Sequence, residues 1–132
     1  MTEKRILLVE DEAITRDLLE DVLLAEGYRL DAASTVVEAM TCLGRKTYAL
    51  VIADWRLPDG DGLLVADMAS EQGSKTFVMS GYLLQIPSWR AAHESLMKPL
   101  RPSEIVQAVE RAIGKAGADQ PSMRPDSTRE AS

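Results

Sequence analysis

Four short apolar runs in this chain each end in a side chain that can do chemistry. Ile6-Leu7-Leu8-Val9 runs into Glu10-Asp11-Glu12, and Leu50-Val51-Ile52-Ala53 runs into Asp54. Thr76-Phe77-Val78-Met79 ends at Ser80, and Ser95-Leu96-Met97 ends at Lys98-Pro99. Gathered together, Glu10, Asp11, Asp54 and Lys98 carry three carboxylates and one ammonium. Such a cluster repels itself, raises a carboxylate pKa or binds a cation. A hard divalent ion neutralises it, and Mg²⁺ typically takes one or two carboxylates together with waters and a phosphate. Asp54 then stays ionised and nucleophilic, while the metal and Lys98 offset charge on a transferring phosphoryl group.

Only a particular scaffold gathers those ends. A continuous apolar run bounded by Pro and Gly turn signals reads as a strand buried on both faces. Strands are expected over Ile6–Val9, Tyr28–Ala33, Leu50–Asp54, Thr76–Ser80 and Ser95–Met97. Between them the spacing predicts helices. The first spans Ala13 to Glu26, with Ile14, Leu18, Val22 and Ala25 as its stripe, widened by Leu19 and Leu23; Asp11 or Glu12 caps it and Gly27 stops it. The second is capped by Ser34 or Thr35 with Glu38 in a capping box, and carries Val36, Val37, Ala39, Met40 and Leu43. The third carries Leu63, Leu64, Ala66 and Met68 and ends near Gly73. Pro87 confines a fourth, short helix to about Trp89–Glu94. Ser103 caps the last, whose stripe is Ile105, Val106, Val109, Ala112 and Ile113. Each crossover is long enough for a helix and too long for a hairpin, so the sheet is parallel with helices on both faces. Open sheets of this kind place ligands at the carboxyl ends of their strands.

Composition narrows the function. A chain of 132 residues suggests one domain. A single Cys excludes an internal disulfide and fits a reducing compartment. No apolar run approaches the roughly 20 residues of a membrane span, and no signal-peptide pattern opens the chain, so a cytoplasmic location is expected. The net charge of −6 argues against nucleic acid as a direct partner.

Val9-Glu10-Asp11-Glu12, Asp54, Leu57-Pro58-Asp59-Gly60-Asp61-Gly62, Ser80-Gly81 and Lys98-Pro99, in this order, resemble a receiver domain (CheY-like) of the bacterial two-component response regulators. The resemblance covers roughly residues 4–116. It implies a flavodoxin-like fold with strand order 2-1-3-4-5 and phosphoryl transfer from a histidine kinase, or a phosphotransfer protein, to Asp54. It implies that Asp11 and Asp54 ligate Mg²⁺, that Glu10 acts through water, and that the Arg56 carbonyl completes the protein ligands. Ser80 is the implied switch hydroxyl, Gly81 leaves room for the phosphoryl group, and Lys98 pairs with a phosphoryl oxygen before a cis bond to Pro99. Arg56 and Tyr82 stand where the family tunes access of the hydrolytic water, and their bulk predicts slow self-dephosphorylation.

Three positions depart from the family pattern. Glu10 replaces the more usual Asp. Ser95 stands where the family often has Tyr or Phe. The Gly81–Met97 segment is several residues short, which predicts a shortened fourth helix. Residues 1–116 are expected to form the receiver and 117–132, rich in Pro, Ser and charge, a disordered tail. A stand-alone receiver that binds a protein effector or a second copy is the favoured reading, with no enzymatic turnover beyond self-phosphotransfer and autodephosphorylation. The alternative is a binding module whose phosphorylation site is unused. A phosphohydrolase is disfavoured because Glu10-Asp11-Glu12 lacks the Asp-x-Asp motif, and neither nucleotide-binding glycine motif follows the first strand. Asp59 and Asp61 read as turn residues. Cys42 and His93 read as structural, Met79 and Met97 as core, and Trp55 as core or a contact beside the site.

Overall fold

The computed structural model describes residues 4–81 and 93–116. The elements in chain order are β1 (Arg5–Val9), α1 (Ala13–Ala25), β2 (Arg29–Ala33), α2 (Val36–Arg45), β3 (Leu50–Asp54), β4 (Arg56–Leu57), β5 (Gly60–Asp61), α3 (Gly62–Glu71), β6 (Lys75–Ser80), β7 (Glu94–Met97) and α4 (Pro102–Ile113). Five strands form one parallel sheet in the order β2-β1-β3-β6-β7, and β4 pairs with β5 as a small antiparallel ribbon. Numbered among the five sheet strands alone, this is the expected order 2-1-3-4-5. The expected short helix around Trp89 and the expected tail both lie outside the described residues, as does Tyr82.

The sheet is parallel because its central strands are apolar on both sides. Side chains alternate across a strand. Ile6 and Leu8 of β1 and Leu50 and Ile52 of β3 therefore face α1 and α4, where they meet Leu19, Leu23, Ile105 and Val109. Leu7, Val9, Val51 and Ala53 face the other way and meet Ala39, Leu43, Val65 and Ala69 of α2 and α3. All five residues of β3 are buried. Each large apolar side chain removed from water this way contributes about 1.5–3 kcal/mol.

Several local expectations need correcting. In α1 the helix docks through Leu19 and Leu23, whereas Ile14 is 80% and Leu18 47% exposed. The helix carries two apolar stripes side by side, and periodicity does not choose between them. The sheet does. Glu12 precedes α1, but its side chain makes no bond to the helix backbone and instead takes the Thr15 hydroxyl. The cap of α2 is as expected: Thr35 accepts from Glu38 N (3.0 Å), while Glu38 reaches back to Ser34 N (2.7 Å). The last helix starts one residue before Ser103: Pro102 opens it, and Glu104 accepts from Arg101 N (2.9 Å). Proline suits a first helical position, whose N–H has no partner in any case. Tyr28 precedes β2 and is buried, donating its hydroxyl to Gly114 O (2.7 Å). Met79 is buried as expected, but Met97 is 55% exposed because β7 is an edge strand.

Candidate functional site

The register assembles the site without further assumption. Val9 lies beside Ala53, Asp54 beside Met79, and Ser80 beside Met97. The residues that follow these pairs therefore emerge along one edge. Their backbones continue the ladder: Glu10 N donates to Ala33 O (3.0 Å), Trp55 N to Met79 O (2.8 Å) and Lys98 N to Ser80 O (2.9 Å). The Lys98–Pro99 bond is cis, as the resemblance implies.

At that edge the Lys98 ammonium lies 2.7 Å from Glu10 Oε1 and 2.9 Å from Asp54 Oδ2. Carboxylate oxygens of Glu10, Asp11 and Asp54 all lie within 4.8 Å of one another. Glu10 is fully buried and Asp54 nearly so, while Asp11 is exposed. Burial pushes the Glu10 carboxyl up to about 7. Lys98 opposes the rise and the Asp54 charge adds to it. Burial acts to lower the Lys98 ammonium, but bonds to Glu10 and Asp54 outweigh it and hold that group above its ordinary value. Lys98 is thus an anchored cation between two acids.

The acidic group suits a hard cation. All its donors are oxygens, which is what Mg²⁺ selects. Glu10 Oε1 is buried and makes no aligned hydrogen bond despite its ion-pair contact with Lys98, so it keeps a lone pair for another positive partner. Glu10 Oε2 accepts from Glu12 N (3.2 Å), and Asp54 Oδ1 accepts a long bond from Arg56 N (3.4 Å).

Of the remaining candidates, Ser80 is buried at the end of β6 and Gly81 is exposed after it. Arg56 is exposed, its guanidinium 5.2 Å from the Trp55 ring centre. Trp55 packs on Leu63, Ala66 and Val78, so it is a contact beside the site with its ring partly buried. Asp59 and Asp61 stay out of the acidic group. Asp59 accepts from Val36 N (2.7 Å) and Val37 N (3.0 Å) at the start of α2, and Asp61 caps α3 through Leu63 N (2.8 Å). His93 is buried, donating from Nε2 to Asp67 (2.7 Å) and bonded through Nδ1 to the Thr76 hydroxyl. Cys42 is a partly buried free thiol packed beside the core.

Two features escaped sequence reasoning. Gly62 sits so close to the end of β3 that an added Cβ would lie 1.9 Å from Asp54 O. Arg16, inside α1, turns back to donate to Glu10 O (2.9 Å) and Asp11 O (3.5 Å). The glycine-rich turn hinted at the first. For the second, the only signal was a basic residue one turn past an acidic triplet.

A family model described as "Response regulator receiver domain" matches residues 6–110. The chain belongs to this family. Among curated proteins the receiver is 39% identical over 74 residues to the aerobic respiration control protein ArcA of Escherichia coli, covering 56% of this chain and 31% of ArcA. It is 29% identical over 131 residues to the transcriptional regulatory protein AruR of Pseudomonas aeruginosa, covering 92% and 54%. The receiver thus spans about half or less of the length of these two relatives. Among solved structures it is similar to the receiver domain of the sensor histidine kinase PA1611 from Pseudomonas aeruginosa, with a magnesium ion coordinated in its active-site cleft (TM-score 0.75, 25% identity, 86% and 100% of the two chains). It is also similar to the response regulator TrrA from Thermotoga maritima in complex with Mg²⁺-BeF (TM-score 0.71, 32% identity, 83% and 98%). Among the described residues, no helix is long and apolar enough to cross a membrane.

Proposed function

We propose that Asp54 accepts a phosphoryl group from a sensor histidine kinase or a phosphotransfer protein, with Mg²⁺ bound, and that the phosphoform changes its affinity for a protein effector or a second copy of the chain. The observation that carries this reading is the Lys98 ammonium held between the Glu10 and Asp54 carboxylates, with Asp11 beside them. Asp11, Asp54 and the Arg56 carbonyl would hold the ion directly in this reading, and Glu10 would reach it through water. Bound there, Mg²⁺ would supply positive charge to offset that on the transferring phosphoryl group.

The protein's own groups do the rest. A carboxylate oxygen of Asp54 attacks phosphorus, the bond to the donor's imidazole nitrogen breaks, and that nitrogen keeps the electron pair. Lys98 leaves its pair with Asp54 to meet a phosphoryl oxygen, and the Ser80 hydroxyl donates to another. Gly81 leaves the space this needs. Beyond phosphotransfer to itself and loss of the group to water, the protein turns nothing over. Arg56 and Tyr82 shield the acyl phosphate from water, so the phosphoform is long-lived. If Arg56→Ala and Tyr82→Ala both leave the decay rate unchanged, the shielding role is wrong.

The reading extends to a cytoplasmic receiver over residues 1–116 that makes no direct contact with nucleic acid or membrane. The acidic charge supports the exclusion of nucleic acid.

The main test is intact mass after incubation with Mg²⁺ and acetyl phosphate. A single adduct of about 80 Da, the mass of one phosphoryl group, is expected for the wild type and lost in EDTA and in Asp54→Asn. No adduct from either acetyl phosphate or a cognate kinase would refute phosphoacceptance. It would favour a binding module instead, a reading to which Ser95, at the usual ring-switch position, already lends support.

A further inference from the structure

The β1–α1 turn carries Glu10 and Asp11, and it must present two like charges side by side. Glu10 is anchored on its amide by Ala33 O and on its carboxylate by Lys98 and Glu12 N. Among the described residues, Asp11 has no comparable anchor. Its carboxylate is exposed, and its direction depends on how the Glu10–Asp11 and Asp11–Glu12 peptides are turned. Both of those carbonyls point at one nitrogen, Arg16 Nη1, at 2.9 and 3.5 Å. The Arg16 backbone is held in the first turn of α1, its amide donating to Glu12 O (2.9 Å). A guanidinium bonded to two successive carbonyls sets the plane of each peptide, and so the direction of the side chain between them.

We infer that Arg16 is a positioning residue for the metal site: by holding the Glu10 and Asp11 carbonyls it aims the Asp11 carboxylate toward Asp54. The inference rests on the metal reading proposed above. The effect of Arg16 on a bound cation has two opposing parts. Its positive charge beside the β1–α1 turn disfavours a cation and lowers affinity. Its two hydrogen bonds preorganise the ligands and raise affinity, and outer-sphere partners of this kind are worth 10- to 100-fold. The charge is directed at backbone carbonyls and shared with Glu38, whose carboxyl it helps hold below the usual range after the two bonds from Ser34. Preorganisation therefore wins, and the sign of the mutational effect separates the two parts.

The test is a Mg²⁺ titration of the ¹⁵N-labelled protein, followed through backbone amide shifts, for wild type, Arg16→Ala and Arg16→Lys. The same spectra report whether each variant is folded. Arg16→Ala is expected to weaken the apparent Kd about tenfold, the low end of the outer-sphere range. Arg16→Lys, which keeps the charge and one donor, is expected to fall between. An unchanged or tighter Kd in Arg16→Ala would overturn the inference, because it would leave only the charge. So would an equal loss in Arg16→Lys and Arg16→Ala. If Arg16→Ala unfolds, the Lys variant decides: affinity equal to wild type overturns the inference and a weaker affinity in the folded variant supports it. Absence of Mg²⁺ binding by the wild type would instead refute the metal reading itself.

Discussion

Lys98→Met removes the cation that sits between Glu10 and Asp54 while keeping a side chain of similar length. The ammonium lies 2.7 Å from the first acid and 2.9 Å from the second. At an effective dielectric of about 20 each pairing is worth roughly 6 kcal/mol of attraction, most of it offset by the desolvation of the charges. What remains after removing one partner is the cost of a buried, uncompensated charge, about 3–5 kcal/mol. Lys98 is a quarter exposed, but the Glu10 side chain is only 1% exposed, so water cannot take over. The low end, about 3 kcal/mol, is expected in EDTA at pH 8, or about 10 °C in melting temperature for a domain of this size. Mg²⁺ at ten times its Kd stabilises the wild type by about 1.4 kcal/mol. The gain should be larger in Lys98→Met, where no ammonium competes for the same oxygens. Urea unfolding with and without Mg²⁺ measures both numbers. Lys46→Met is the control: it removes a pair with Asp31 whose lysine is half-exposed, and should cost under about 1 kcal/mol. If Lys98→Met costs no more than this control in EDTA, or if Mg²⁺ stabilises it less than wild type, the cation is not what holds the two acids together.

Three further outcomes follow from the geometry. Gly62→Ala puts a methyl 1.9 Å from Asp54 O; overpacking against backbone should cost about 3 kcal/mol by urea unfolding, and a cost under about 1 kcal/mol would contradict the close approach. Asp59→Ala frees the Val36 and Val37 amides, so hydrogen exchange at those two positions should speed up selectively, and unchanged exchange would show that Thr35 alone suffices as cap. Burial pulls the Asp31 carboxyl upward, but bonds from Tyr48 and Lys46 and the charges of Lys46 and Arg5 hold it below its ordinary value. Its stabilisation is therefore present above the ordinary carboxylate range and lost as pH falls through the lowered value, so Asp31→Asn should flatten the acid limb of stability against pH below about 4; an unaltered acid limb would exclude the cluster as a contributor.

The strands that build the site were legible because both faces of the central strands are covered. A run such as Leu50–Ala53 leaves no solvent face to break the pattern, and an acid directly after it marks the strand's end. Asp54, Glu10, Ser80 and Lys98 could be named from their positions at such ends. Helix faces were less legible. In α1 two apolar stripes compete, and in α4 the Pro102 start and the Glu104 back-bond outweigh the Ser103 cap signal. Local propensity offers several starts and faces within a turn of each other, and packing selects one.

What the sequence determined by itself is the alternation of strand and helix, the parallel sheet and the chemical groups at its carboxyl edge, because each rests on local patterns of burial and charge. The tertiary structure alone decided who pairs with whom. Lys98 meets Glu10 as well as Asp54, Arg16 reaches back over the turn, Asp59 caps a helix that precedes it by more than 20 residues, and Gly62 leans on the Asp54 carbonyl. These contacts join residues far apart in the chain or on opposite sides of a turn. Their energies depend on distances of a few ångströms that register and packing set, and that no sequence spacing encodes.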